Sequence, residues 1–246
     1  GTGNSGAAMI SSDKVTLTGW SYINGDVKPS EVDDFESYND KWRLVTGNGS
    51  DIVFESMEMT VNGESKIDIT SAGTGNAGSL SITTESLKIA DFSSISSTAS
   101  KTGNAGSIEI TANNILLNNY SEIETFTRFI PDKGKQIGNT AGTGGDLVLD
   151  VKTLTITGNS GMELGTWGQG DSGSATIRSD EVILEGSYIN GDVYGGGAVD
   201  ENFQENWQSV TGVGPFISFE TKNMSLSGAS SIDLTSTGAG DAGMLS

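Results

Sequence analysis

The sequence predicts an all-β fold, a right-handed parallel β-helix (β-solenoid) of about seven coils of 28 residues, with three short strands per coil and long loops on one edge. Three observations lead there. Nearly the same phrase, GNAGSL at 75–80 and GNAGSI at 103–108, returns after 28 residues. Apolar residues inside each such unit alternate with polar ones at the period of a strand. The chain also has 35 glycines, 3 prolines and only 34% hydrophobic residues, a composition suited to a thin core turned through many tight corners. Self-similarity at a fixed period of roughly 20–50 residues marks repeats that bury their cores against neighbours.

Units begin at Gly6, Ser50, Gly78, Gly106, Gly145, Gly173 and Pro215, numbered here 1 to 7, and cover the chain from Gly6 to Ala242. The first strand is marked by apolar third and fifth places: Ala8, Ile52, Leu80, Ile108, Leu147, Ala175 and Ile217, then Ile10, Phe54, Ile82, Ile110, Leu149, Ile177 and Phe219. The second is marked by the tenth and twelfth, as in Met59 and Val61, Leu87 and Ile89, Ile115 and Leu117, and Leu154 and Ile156. Gly19, Gly63, Asp91, Asn119, Gly158, Gly186 and Gly228 hold the fourteenth place, and these three residue types best tolerate positive φ, so a corner is expected there. Two places on, Ser21, Ser65, Ser93, Ser121, Ser160, Ser187 and Ser230 form an unbroken row, read as a ladder in which each hydroxyl bonds the next coil. The third strand starts at Ile23, Ile67, Ile95, Ile123, Met162, Ile189 and Ile232, once one residue of slack is allowed near Gly186. Coils stacked about 4.8 Å apart would make a rod roughly 30 Å long. The strong preference of parallel crossovers sets the expected right hand.

A longer period lies over the short one. SYINGDV occurs at 21–27 and again at 187–193, so five units form a super-repeat, residues 1–167, followed by a partial second copy, residues 168–246, within a single solenoid segment. Unit lengths run 44, 28, 28, 39, 28, 42 and 28, and the extra residues always follow the third strand. Loops therefore leave from one edge, the usual contact face of a repeat protein. An opening in GTGNSG and a close in GMLS read as a window cut from a longer repeat protein.

Composition removes several functions. A net charge of −19 repels nucleic acid and anionic membrane surfaces, and no apolar run suits membrane insertion. The absence of cysteine and histidine removes disulfides, thiol chemistry, the usual general base and the commonest metal ligand.

Units such as GNAGSLSITTESLKIADFSSISSTASKT resemble the repeats of filamentous haemagglutinin-like exoproteins, giant β-helical adhesins exported by Gram-negative bacteria through two-partner secretion. The resemblance implies an extracellular or cell-surface location and a non-catalytic, structural or adhesive role in fibres or matrix. Its implied partners are other copies, associated end to end or laterally, and surface glycans or cell receptors.

Candidate sites are few. The glycine phrase lacks both the lysine of a phosphate loop and the helix of a dinucleotide motif, and reads as corner punctuation. Acids in the first and last long loops, Asp26, Asp33, Asp34, Asp40, Asp192 and Asp200, are calcium candidates by oxygen donor type, though without the alternation of an EF-hand loop. Solvated acidic surface is the competing reading, and no other cofactor is expected. Tyr38 with Trp42, and Phe203 with Trp207, stand four apart and predict short helices whose aromatic side packs on the rod or stacks on a sugar. The alternative function is a polysaccharide-binding or polysaccharide-cleaving β-helix protein. Hydrolases need paired carboxylates, and no acid pair is expected to recur at facing places.

Overall fold

A computed structural model describes residues 4–26, 45–99, 102–128, 142–167, 169–194 and 211–246. These form only strands and turns, without a helix among the described residues. The strands are β1 (Ala7–Ser11), β2 (Lys14–Leu17), β3 (Tyr22–Asn24), β4 (Asp51–Glu55), β5 (Glu58–Val61), β6 (Lys66–Asp68), β7 (Leu80–Ala90), β8 (Ser94–Ala99) and β9 (Ile108–Asn118). They continue as β10 (Glu122–Arg128), β11 (Leu147–Thr157), β12 (Gly161–Glu163), β13 (Thr166–Trp167), β14 (Ser174–Glu185), β15 (Tyr188–Asn190), β16 (Phe216–Ser227), β17 (Ser231–Asp233) and β18 (Met244–Leu245).

All pairings are parallel and fall into two sheets. One runs β1-β4-β7-β9-β11-β14-β16-β18, with β2 and β5 alongside, and the other runs β3-β6-β8-β10-β12-β15-β17, with β13 beside β10. Register follows the unit boundaries through every change of length: Ala8 pairs Ile52, Leu80 pairs Ile108, Ile108 pairs Leu147, and Ala175 pairs Ile217. The extra residues of units 1, 4 and 6 therefore leave the ladder undisturbed. The inward columns merge into one continuous core containing Phe54, Ile82, Ile110, Leu149, Ile177 and Ile189.

The expectation of three short strands per unit needs correction. From unit 3 to unit 7 the first two are one strand of 11 or 12 residues, and both lie in the same sheet throughout. The inward phase shifts by one at the eighth place, where Glu85, Asn113, Lys152, Asp180 and Lys222 drop out of the Cα pairing on adjacent strands. A kink suffices there: the N–H groups of Glu85 and Ser86 both donate to the Met57 carbonyl, and those of Met57 and Glu58 both donate to that of Asp13. No glycine or proline stands at that place to end a strand.

The real corner follows at the fourteenth place, where all seven residues have positive φ, from 55° at Gly186 to 66° at Gly158. The next residue has positive φ as well in six units: Trp20, Glu64, Phe92, Tyr120, Asn159 and Ala229. Two successive left-handed residues reverse the chain in the manner of a type I′ turn. Unit 6 lacks the second of them, since Gly186 runs straight into Ser187, which is the physical content of the one-residue slack.

Side-chain ladders run beside the backbone ones. The Ser21, Ser65, Ser93 and Ser121 N–H groups donate to the hydroxyl of the serine in the following unit at 3.2, 3.1, 3.3 and 3.0 Å. The Ser65 hydroxyl in turn donates to its own unit's Asn62 carbonyl. A second ladder, unmarked in the sequence reading, uses the asparagine of the GN phrase: Asn48, Asn76 and Asn104 N–H donate to Oδ1 of Asn4, Asn48 and Asn76.

Close approach explains the seam glycines. A Cβ at Gly78, Gly106 or Gly145 would lie 1.8, 1.6 or 1.8 Å from the backbone carbonyl oxygen of Ser50, Gly78 or Gly106, so backbone stacks directly on backbone. At Gly6 a Cβ would meet nothing within 4 Å. Gly106→Ala is accordingly expected to lower stability by about 3 kcal/mol or more, as overpacking against rigid backbone does. Gly6→Ala should leave it unchanged within about 0.5 kcal/mol. Denaturant titration of the two variants checks this, and equal effects would contradict the stacking explanation.

Candidate functional site

Period-2 alternation that sends Ile123 and Met162 inward sends their neighbours outward on the second sheet. The parallel register then lines up outward side chains of consecutive units. Glu122, Gly161 and Tyr188 form one row, and Glu124, Glu163 and Asn190 the next. Glycine at 161 admits the Tyr188 ring, which a Cβ there would approach to 2.4 Å, and the Tyr188 hydroxyl donates to Glu122 Oε1. Phe126, Glu163, Gly165, Asn190, Asp192 and Tyr194 line an adjoining cleft of about 180 Å³. Phe126 is buried despite its outward place.

The register thus brings Glu124 opposite Glu163, with Glu122 two residues away on the same strand. Among the described residues two acids thus face each other once, between units 4 and 5, where the sequence leads to the expectation that no acid pair recurs at facing places. The sequence signal was present in the outward places of the third strand, which columns drawn only from inward places do not sample.

Electrostatics follow from crowding. Burial, then the hydrogen bond and charge of Glu122 and the charge of Glu163, push the Glu124 carboxyl up to about 8, with Lys66 pulling weakly the other way. Burial first, and the Glu122 carboxylate next, push the Tyr188 phenol above its ordinary value. At neutral pH the site therefore offers a protonated carboxyl beside acidic acceptors, a set able to donate and accept hydrogen bonds to a hydroxyl-rich or cationic group.

The other sequence candidates divide. Asp192 Oδ1 accepts from the Thr235 N–H and hydroxyl at 2.9 and 3.0 Å, and Asp26 Oδ1 accepts from the Thr70 N–H at 3.0 Å. Both carboxylates thereby tie one unit to the next. Beside Asp26, burial raises the Asp68 carboxyl, opposed by hydrogen bonds from Thr70 and Ser96. Asp33, Asp34, Asp40 and Asp200, and the aromatics Tyr38, Trp42, Phe203 and Trp207 with their expected helices, lie outside the described residues. Among the described residues no group of three acidic side chains is placed to hold a metal ion.

No family model, curated protein or solved structure matches the chain.

The Glu124 shift fixes a pH dependence. The fold keeps this carboxyl protonated up to about 8 whereas its ordinary value is 4.5, so its stabilising contribution is complete below 4.5 and is lost as pH rises through about 8. The melting midpoint should fall between about pH 5 and about pH 9, and Glu124→Gln should flatten that fall. A midpoint that rises over this range, or a Gln variant that follows the parent curve, contradicts the assignment.

Proposed function

We propose that the chain is a non-catalytic segment of a right-handed β-solenoid of seven coils. It serves as a rigid rod in an extracellular fibre similar to filamentous haemagglutinin-like exoproteins. The loops between coils contact glycans or receptors, and the coils associate end to end or laterally. The observation that carries this reading is the parallel register held from Ala7 to Leu245 through units of unequal length. Such a ladder has no preferred number of coils and lengthens by adding units, which suits a rod. The hand rests on the rule for parallel crossovers.

Electron micrographs of surface fibres recovered with an antibody against this chain provide the test. A uniform rod with an axial repeat near 24 Å is expected, five coils at about 4.8 Å each. Antibody bound only to globular particles, or only inside cells, would sink the reading.

A polysaccharide-binding or polysaccharide-cleaving protein is the second reading, favoured by Glu124 facing Glu163 beside the cleft of Phe126 and Tyr194. In-register stacking sets their backbones about 4.8 Å apart. Carboxyls about 5 Å apart are what a retaining hydrolase uses. Reducing-end release from polysaccharides, lost in Glu163→Gln, would favour it; the rod reading expects no release from either protein.

A further inference from the structure

Unit 1 and unit 6 carry the same inward side chains in different surroundings, and differ at the corner, where Trp20 of unit 1 has no counterpart in unit 6. Every inward place is identical between them: Ala8 and Ala175, Ile10 and Ile177, Ser12 and Ser179, Val15 and Val182, Leu17 and Leu184, Ser21 and Ser187, Ile23 and Ile189. Unit 6 lies between unit 5 and unit 7, so that Ala175, Ile177 and Ile189 are completely buried. Unit 1 pairs only with unit 2 among the described residues, through β1, β2 and β3, and Ala8 is exposed on its other side.

The clearest difference is at the tyrosine of SYINGDV. Tyr188 lies on Gly161 of unit 5 and reaches Glu122 of unit 4. Tyr22, its counterpart, is 58% exposed. The seam agrees: a Cβ at Gly173 would lie 2.2 Å from the Gly145 oxygen, whereas its counterpart Gly6 has open space.

We infer that the free face of β1, β2 and β3 is an interface for one occupant, the unit 4 and unit 5 pair of another super-repeat. That pair seats Tyr22 on its glycine and joins the Tyr22 hydroxyl to its glutamate. The inference rests on the rod reading and names what unit 1 stacks on. The unit 5 to unit 6 junction already shows the interface complete. A second copy docking through its unit 7 is a different occupant, because that unit presents Ser231 where unit 5 presents Gly161.

The test is tyrosine nitration by tetranitromethane, mapped to individual residues, since a phenol seated on a neighbour with its ionisation suppressed reacts slowly. In a chain with residues 1–167 duplicated in front of Gly1, Tyr22 of the original copy should slow by about ten-fold or more, to the level of Tyr188. In a chain with residues 1–237 duplicated there, which leaves out β18 and sets unit 7 against unit 1 in the same register, Tyr22 should stay reactive. A reactive Tyr22 in the first fusion, or a protected one in the second, overturns the inference. If the first fusion nevertheless forms a longer rod in micrographs, the rod reading stands. Gly161→Ser in the parent chain gives an independent readout should the fusions not fold. It should expose Tyr188 to nitration while the chain remains folded, and continued protection of Tyr188 overturns the role assigned to the glycine.

Discussion

Everything in this chain depends on parallel, in-register pairing between units. A strand in this arrangement finds its backbone partners one unit away, so a unit is satisfied only by a neighbour of the same shape. That requirement fixes what varies. Residues can be added after the third strand, as in units 1, 4 and 6, because the path leaves the ladder and rejoins it at the seam. The kink at the eighth place and the left-handed corner at the fourteenth recur because a unit that turned elsewhere would strand its neighbour's N–H and C=O groups. Glycine stands where backbone lies on backbone, and Gly78, Gly106 and Gly145 each occupy space that a methyl group would take from a carbonyl.

Side chains strengthen the same contacts. Serine at the corner and asparagine at the seam each supply an oxygen to the backbone of an adjacent unit. Asp26 and Asp192 do likewise at the edge of the second sheet. Stacking like residues also carries a cost when they are acids. Glu122, Glu124 and Glu163 are brought together by register, and the chain accommodates them by holding Glu124 protonated and giving Glu122 the Tyr188 hydroxyl as a donor.

Much of the fold was legible because inward places recur with small tolerance for error. Columns such as Ile52, Leu80 and Ile108 mark both strand and register, and the fourteenth place announces its positive φ through glycine, asparagine and aspartate. The number of strands was misread since a one-residue phase shift looks the same in sequence whether the chain kinks or turns. The second left-handed residue was hidden because Trp20, Phe92 and Tyr120 are poor local indicators of that conformation. Phe92 and Tyr120 stack on each other at 5.1 Å in their exposed corner, a contact between units that no local propensity encodes. The acidic face went unseen for a similar reason: Glu124 and Glu163 are 39 residues apart, and only the outward register joins them.

Register through unequal loops is the central claim, and a chain without cysteine permits a clean measurement of it. Pairs of cysteines for nitroxide labels at the ninth place, Lys14 with Thr153, Glu181 or Asn223, span four, five and six units. Pulsed electron spin resonance should give distances rising by about 4.8 Å per unit, near 19, 24 and 29 Å, regardless of the residues inserted between them. Distances that grow with the intervening chain length, or that scatter without a regular step, would contradict the account.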